Sequence, residues 1–181
     1  MKGRVYWITG LSGAGKTTVA TALIARLQER GLSPVLLDGD RLRAVIAPDA
    51  GYDAETRKRL AAVYGRLCAE LSAQGAVVVC ATISMFHEIR DWNRANIPGY
   101  REIYLRVSPD RLAGRDPKGL YRAARTDALD NMVGLDQAQE EPRNPDLLIE
   151  NDKDTGVEPV VARIWRELIE TDSELVAYMK A

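Results

Sequence analysis

The segment from Gly10 to Thr17 reads GLSGAGKT and determines how the rest of the chain can be interpreted. It fits the phosphate-binding pattern G-x-x-x-x-G-K-[ST] at every fixed position. The apolar run 5–8 before it predicts a buried strand, and residues 17–24 after it predict a helix. In this arrangement, backbone N–H groups and a helix N-terminus face one phosphate group. The alternative is a glycine-rich turn without a ligand. It would not explain why the loop pattern lies between a predicted strand and a predicted helix, as phosphate binding requires.

The loop pattern also assigns roles to individual side chains. Lys16 is expected to reach the β- and γ-phosphates of a nucleotide and to be catalytic, and the Thr17 hydroxyl is expected to ligate Mg²⁺. The predicted cofactors are therefore ATP and Mg²⁺. The residues expected to hold the nucleotide are Gly10, Ser12, Gly13, Ala14, Gly15, Lys16, Thr17 and Thr18.

Composition narrows the class of protein. A chain of 181 residues with 46% hydrophobic and 28% charged residues is expected to form one α/β domain over residues 1–181. A net charge of −1 gives no electrostatic reason to expect nucleic acid as a partner. No apolar run is long enough to span a bilayer, and residues 1–4 lead directly into the first strand, so no signal peptide is expected. These features predict a cytoplasmic protein with a small nucleotide substrate and no membrane partner. Cys68 and Cys80 lie in apolar patterns and are expected to be buried, reduced thiols.

Strand-like and helix-like segments alternate along the chain. Strands are predicted at about 5–9, 34–37, 76–82, 102–107 and 147–150, and helices at 16–30, 54–74, 86–96, 109–114 and 157–171. This order predicts a P-loop nucleoside-kinase-like α/β fold: a doubly wound, parallel, five-stranded sheet with helices on both faces. The charged segment 115–144, which contains prolines and glycines, is predicted to be a mobile lid.

Asp38-Gly39-Asp40 directly follows the second predicted strand, where a doubly wound sheet has its ligand crevice. One carboxylate could accept a proton from an attacking hydroxyl, and one could hold Mg²⁺ through water. The alternative is a turn in which an Asp caps the next helix. The third strand has no acidic residue at its end, in contrast to NTPases with a Walker B aspartate. This difference disfavours a motor ATPase or GTPase switch and favours a small kinase in which Asp38 and Asp40 take the acidic role.

Basic residues cluster in the segments expected to face the crevice. Arginine suits bidentate recognition of phosphate or sulfate. Any one of these residues alone would more often be a solvated surface charge, but several of the set are expected to contact anions. The set comprises Arg41, Arg43 and Arg57, then Arg90 and Arg94 at i, i+4 spacing, and Arg115, Lys118, Arg122 and Arg125 in the predicted lid.

Taken together, these segments resemble the adenylylsulfate kinases (APS kinases), which use MgATP to phosphorylate the ribose 3′-hydroxyl of adenylyl sulfate in sulfate assimilation. The matching segments run from Ile8 to Leu147 in the family's order. They are ITGLSGAGKTT, LLDGDRLR, AGYDAETR, ISMFHEIRD, RDPKGLYRAAR and VGLDQAQEEPRNPDL. RDPKGLY is the most specific, because a generic P-loop kinase has no reason to carry it.

The resemblance implies roles for residues outside the loop. Asp40 is implied as the base or a Mg²⁺ partner, with Asp38 beside it, and Ser84 matches the serine of the family's I-S-P motif at the catalytic and substrate site. Tyr52 matches a phenylalanine that stacks on the substrate adenine. The basic residues with implied contacts are Arg43 and Arg57 at the phosphosulfate side of the substrate, and Arg115 and Lys118 of the lid near the phosphates.

The chain also departs from the family's pattern on the acceptor side. Leu60 stands where the family has a substrate-contacting Asn, Ala62 replaces an Arg, Met85 follows Ser84 in place of Pro, and Met132 replaces a second stacking Phe. Leu60 and Met132 are therefore expected to line an altered acceptor pocket. Another nucleotide-linked acceptor, such as cytidine diphosphoramidate, is the first alternative, because a relative of the family acts on it. A non-catalytic nucleotide-binding subunit is the second. A homodimer is the assembly considered for the chain.

Overall fold

The computed structural model describes residues 2–115, 140–152 and 156–180. These residues form five strands, seven α-helices and one π-helical turn. The strands are β1 (Arg4–Thr9), β2 (Val35–Asp38), β3 (Val77–Ala81), β4 (Tyr100–Arg106) and β5 (Leu147–Glu150). The helices are α1 (Lys16–Gln28), α2 (Gly39–Ile46), α3 (Ala54–Ala73), α4 (His87–Asn96), α5 (Pro109–Arg115), α6 (Glu158–Ile164), which continues as the π-helical turn Trp165–Ile169, and α7 (Ser173–Lys180).

The five strands form one parallel sheet in the order β2-β3-β1-β4-β5. The central strand is β1, which pairs with β3 on one side (Val5 opposite Val78) and with β4 on the other (Val5 opposite Tyr100). Strands β2 and β3 lie on one side of β1, and β4 and β5 lie on the other, so the direction in which strands are added reverses at β1. In parallel α/β sheets, ligands bind outside the carboxyl ends of the strands at such a switch point. The segment that follows β1, beginning at Gly10, lies at this point.

Alternate residues of β1 enter two different hydrophobic cores. Tyr6 and Ile8 belong to a core that includes α1 and α6, here called the α1-side core. Val5 and Trp7 belong to a core that includes α3, here called the α3-side core. Because successive side chains of a strand point to opposite faces of the sheet, the two cores lie on opposite faces. The prediction of a parallel sheet covered by helices on both faces is therefore confirmed, and Val77–Ala81 is an interior strand that is buried throughout.

Two helices were not predicted from the sequence. The helix α2 has eight residues, fewer than the roughly 11–18 residues over which an apolar repeat identifies a helix, and none of its residues is fully buried. The helix α7 has Leu175 as its buried residue, and it begins after Asp172, whose carboxylate accepts a hydrogen bond from the Leu175 N–H (3.0 Å). Most of the predicted lid, 115–144, lies outside the described residues. None of the described helices combines the length and hydrophobicity that a bilayer span requires.

Both cysteines are buried free thiols, as the sequence predicted. Cys68 lies in α3 and Cys80 in β3, within the α3-side core. Burial raises the pKa of the Cys80 thiol well above its ordinary value, because the thiolate would lose its hydration. Such a thiol is unreactive and contributes to the structure through packing.

Candidate active site

The backbone of residues 10–15 connects β1 to α1 through conformations that favour glycine. A Cβ atom at Gly10 would lie 2.5 Å from the Leu105 carbonyl oxygen, so no side chain fits at this position. Gly15 has a φ of +89°, which a side chain would strain. No acidic residue occurs in the first turn of α1, and among the described residues no side chain caps its N-terminus. The partial positive charge of this helix end therefore suits the binding of an anion.

Lys16, the first residue of α1, extends back along the loop. Its Nζ atom donates a hydrogen bond to the Leu11 carbonyl oxygen over 2.8 Å. This contact keeps the ammonium group on the loop. The position is the one that the loop pattern predicts for a lysine that contacts phosphate, and its catalytic role stays a prediction.

Asp38 joins the phosphate loop to α2. Its Oδ2 atom accepts a hydrogen bond from the Thr17 hydroxyl (2.6 Å), and its Oδ1 atom accepts from the backbone N–H groups of Asp40 (3.0 Å) and Arg41 (3.2 Å). Asp38 is therefore the N-cap of α2 and at the same time the partner of the predicted Mg²⁺ ligand. The two sequence-based interpretations of Asp38-Gly39-Asp40, a helix cap and a functional pair, are compatible because the two carboxylate oxygens act separately.

Asp40 lies in the first turn of α2 and is exposed at the carboxyl edge of the sheet. Its neighbour Gly39 is tightly packed: a Cβ atom there would lie 3.0 Å from the Thr82 hydroxyl oxygen, and the Gly39 carbonyl accepts a hydrogen bond from Tyr64 Oη (3.2 Å). These contacts fix the start of α2. Asp40 is thus presented from an anchored turn beside the phosphate loop, and its role as a base or Mg²⁺ partner stays a prediction.

Three of the residues predicted to hold the acceptor come together from α2, the following loop and α3. The Arg43 guanidinium lies 4.0 Å from the centre of the Tyr52 ring and donates to the Ala50 carbonyl (2.7 Å) and to the Gly51 carbonyl. Arg57 donates from Nε to the Tyr52 carbonyl (2.6 Å). Burial lowers the pKa of the Arg57 guanidinium, and the nearby positive charge of Arg43 lowers it further. The Tyr52 side chain is 62% exposed, so the structure presents an aromatic surface flanked by two cations.

Other predicted acceptor residues are placed differently. Leu60 is 4% exposed and packs in the α3-side core, a position that accounts for its hydrophobic character without a ligand. Its predicted substrate contact has no support from this placement. Lys118 and Met132 lie outside the described residues, and Arg115 is the last residue of α5.

Ser84 follows β3 in an unusual conformation. Its φ is +29°, in the left-handed region that non-glycine residues rarely adopt. It is 5% exposed, and within the described part of the chain its Oγ atom is buried with no hydrogen-bond partner. Strained backbone and an unsatisfied hydroxyl both cost free energy and are concentrated at functional sites. These features single out Ser84, whose catalytic role stays a prediction.

Arg90 and Arg94, which the sequence grouped with the anion-contacting arginines, form internal ion pairs. Arg90 is 3% exposed, and its Nε atom lies 3.1 Å from Glu102 Oε1. Arg94 lies 3.1 Å from both Glu102 and Asp146. Burial raises the pKa of the Glu102 carboxyl, and the two arginines oppose that rise. These contacts give no support to anion binding by this pair, because the buried Glu102 on β4 and Asp146 before β5 engage their charges.

Arg90 also fastens the loop after β3. Its two Nη atoms donate to the carbonyl oxygens of Ser84 (3.1 Å) and Glu140 (2.5 Å), and Nη2 lies 2.8 Å from His87 Nδ1. The Glu140 N–H in turn donates to the Met85 carbonyl (3.2 Å). Residue 140 is therefore held against the loop that contains Ser84.

A further contact to the phosphate loop comes from Asn151, which the sequence did not single out. Its Nδ2 atom donates to the Ala14 carbonyl oxygen over 3.0 Å. A lone asparagine after a strand resembles any turn residue. The one available signal was its position at the carboxyl end of the last strand, where crevice residues occur.

Comparison with known proteins identifies the family. The model of the family described as adenylylsulphate kinase matches residues 2–150. The cytidine diphosphoramidate kinase of Campylobacter jejuni is 39% identical over 164 residues, which are 91% of this chain and 95% of that protein. The adenylyl-sulfate kinase of Bacillus velezensis is 37% identical over 154 residues, which are 84% of this chain and 78% of that protein.

A solved structure agrees with this assignment. The APS kinase of Mycobacterium tuberculosis in complex with AMPPNP and APS is 30% identical and superposes with a TM-score of 0.86 over 94% of this chain and 99% of that one. The fold, the phosphate loop and the sequence relatives therefore agree. The chain belongs to the adenylylsulphate kinase family and is an ATP-using nucleotide kinase of that family.

Proposed function

We propose that this kinase transfers the γ-phosphate of ATP to a ribose hydroxyl of a nucleotide-linked anion, with adenylyl sulfate as the first candidate and 3′-phosphoadenylyl sulfate as the product. The observation that carries the proposal is the joining of two sites at one sheet edge. Asp38 binds Thr17 of the phosphate loop and also caps α2, the helix that provides Asp40 and Arg43. The donor and the acceptor would thus meet beside Asp40.

In this proposal the chain positions the reactants and neutralises charge. The acceptor hydroxyl oxygen attacks the γ-phosphorus in line, the bond from that phosphorus to the β,γ-bridging oxygen breaks, and ADP leaves. Asp40 accepts the hydroxyl proton. Lys16 and the first turn of α1 stabilise the negative charge on the phosphate oxygens.

The residues present fit a Mg²⁺ ion. The Thr17 hydroxyl donates its hydrogen bond to Asp38, so the lone pairs of its oxygen are available to a cation. Asp40 adds a carboxylate on the neighbouring turn, and hydroxyl and carboxylate oxygens are the ligand types that Mg²⁺ prefers. When bound, the ion would neutralise charge on the β- and γ-phosphates. Thr17 and Asp40 are the residues we propose to hold it.

For the acceptor, two cations flank one aromatic ring. Arg43 and Arg57 suit the two anionic groups of a mixed anhydride, and the exposed Tyr52 ring suits a nucleobase. An Arg-lined aromatic surface accepts either adenine or cytosine. The relative at 39% identity is a cytidine diphosphoramidate kinase. This similarity favours a cytidine-diphosphate-linked acceptor as the second candidate.

An acceptor screen separates the candidates. ADP formation is measured with adenylyl sulfate, cytidine diphosphoramidate and unmodified nucleosides, with Lys16→Ala as the inactive control. A low-micromolar KM for adenylyl sulfate would rule out the cytidine compound as the main acceptor and would support a place in sulfate assimilation. A high KM for adenylyl sulfate with efficient use of the cytidine compound would reverse the order. No turnover above the control with any acceptor would favour a non-catalytic role.

The replacement Met132→Phe restores the aromatic residue of the family pattern. If adenylyl sulfate is the acceptor, the change should leave its KM unchanged or lower it, because a base–aromatic stack contributes about 1–3 kcal/mol. If the acceptor has the smaller cytosine base, use of that acceptor should worsen.

A further inference from the structure

Asn151 occupies a rigid position directly after β5. Its backbone N–H donates to the Arg106 carbonyl (2.8 Å), which extends the pairing of β4 and β5 by one residue. The next residue is also fixed: the Asp152 carboxylate accepts from the Ser108 N–H (2.8 Å), and its carbonyl accepts from Arg111 Nε (2.8 Å). The Asn151 side chain is therefore presented from a backbone that the sheet and the start of α5 hold in place.

From this position the Asn151 amide lies against the peptide unit between Ala14 and Gly15. Its Nδ2 atom is 3.0 Å from the Ala14 carbonyl oxygen and would be 3.2 Å from a Cβ atom at Gly15. Ala14 itself is completely buried. The contact joins the last strand of the sheet to the loop that follows the first, across 137 positions of sequence.

The direction of this peptide unit matters for phosphate binding. In a trans peptide the C=O and N–H bonds point in opposite directions, so a carbonyl turned toward Asn151 turns the Gly15 N–H away from it. Phosphate loops bind the α- and β-phosphates through such N–H groups. Gly15 has a φ of +89° and, as a glycine, can adopt either hand, so the local sequence alone does not fix the orientation of this peptide.

We propose that Asn151 is a positioning residue for the phosphate loop: its side-chain amide holds the Ala14–Gly15 peptide so that the Gly15 N–H faces the polyphosphate of the bound nucleotide. The inference rests on the proposed function, because it requires ATP to bind this loop. Asn151 acts through the backbone and does not itself touch the reacting atoms.

The test is the dissociation constant for ADP, measured by isothermal titration calorimetry well below the unfolding temperature. The main variant is Asn151→Leu, which keeps the approximate size of the side chain and removes the donor. Loss of a hydrogen bond to a charged phosphate corresponds to about a tenfold or larger weakening of ADP binding. In steady-state assays the KM for ATP should rise by a similar factor, while the KM for the acceptor should stay within about twofold. Asn151→Ala repeats the measurements without the risk of overpacking.

A matched control is Asn96→Leu. Asn96 also donates its side-chain amide to a backbone carbonyl (Trp92, 2.8 Å), but at the exposed end of α4. The Asn96→Leu variant should bind ADP with the affinity of the wild type. Wild-type affinity for ADP in folded Asn151→Leu and Asn151→Ala, or an equal loss in Asn96→Leu, would overturn the inference. Failure of the wild-type protein itself to bind ADP would instead overturn the proposed function.

Discussion

Asp38 offers a substitution that separates two roles of one carboxylate. Two backbone N–H groups, those of Asp40 and Arg41, hold Oδ1 and thereby fix the orientation of the side chain. In Asp38→Asn the amide oxygen must take this place, because an amide NH₂ group cannot accept those bonds. The NH₂ group then faces Thr17 and donates to its hydroxyl oxygen. The helix cap survives, but one lone pair of the proposed Mg²⁺ ligand is occupied.

The structure gives the expected size of each effect. Asp38→Asn keeps the cap and loses the charge at the N-terminus of α2, a loss of about 0.3–1 kcal/mol. Asp38→Ala loses the helix cap, which contributes about 1 kcal/mol, and also the hydrogen bond from Thr17 to a charged carboxylate. The exposed Thr17 hydroxyl can bind water instead, so the total loss of stability is about 2–3 kcal/mol. These losses correspond to decreases in Tm of about 1–4 °C for Asn and about 4–12 °C for Ala. Disturbing a residue that orients a metal ligand costs about 10–100-fold in metal affinity or activity.

The assay combines thermal unfolding with initial rates at varied Mg²⁺ concentration. We expect Asp38→Asn to be nearly as stable as the wild type, with a kcat about 10–100-fold lower or a correspondingly higher Mg²⁺ requirement. Asp53→Ala is the control, because Asp53 caps α3 through the Thr56 N–H (2.9 Å) and has no contact with the phosphate loop recorded in the described structure. It should lower Tm without changing the Mg²⁺ requirement. If Asp38→Asn matches the wild type in kcat and in Mg²⁺ requirement, Asp38 is only a helix cap and the reasoning is refuted.

Three further predictions concern other charged groups. Lys16→Ala should lower kcat/KM by about 100-fold or more with an unchanged fold, because the ammonium stabilises the transferring phosphate; circular dichroism and turnover check this, and near-wild-type turnover would contradict it. Asp40→Asn should lower kcat by about 100-fold while ADP still binds; an unchanged kcat would leave Asp40 without a catalytic role. The hydrogen bond from Arg4 (2.5 Å) lowers the pKa of the Asp172 carboxyl in the folded state. The ion pair therefore stabilises the folded protein above the unfolded-state pKa of about 4, and this stabilisation is lost as the pH falls through the lower folded-state pKa. The Tm difference between wild type and Asp172→Asn should therefore be largest near pH 7 and shrink below about pH 4, and a difference that does not change with pH would refute this.

The sequence predicted those features that are encoded locally. The loop from Gly10 to Thr17 was predictable because each position has its own steric or chemical requirement, and the strands because apolar runs are bounded by polar residues. The helix α2 was not predicted by periodicity because it has only eight residues; its start is fixed by the Asp38 cap and by the contact of Tyr64 with Gly39.

Long-range pairing accounts for the remaining differences. Arg90 resembles an anion-binding arginine in the sequence, but its acidic partner, Glu102, comes from β4 and becomes apparent only when α4 packs on the sheet. Asn151 reaches a loop that lies at the other end of the chain. Such pairings depend on the order of the strands, which single-residue patterns do not contain.

The division of the molecule into an α1-side core and an α3-side core has a consequence for the evolution of specificity. Ala14 and α1, beneath the nucleotide loop, pack in the first core, whereas α3 and Leu60, beneath the residues proposed to hold the acceptor, pack in the second, on the other face of the sheet. On the proposed function, substitutions in α3 that reshape the acceptor side are absorbed in a core that does not contain Ala14 or α1. A lineage would then exchange one acceptor for another by drift on one face of the sheet, while selection preserves phosphoryl transfer on the other.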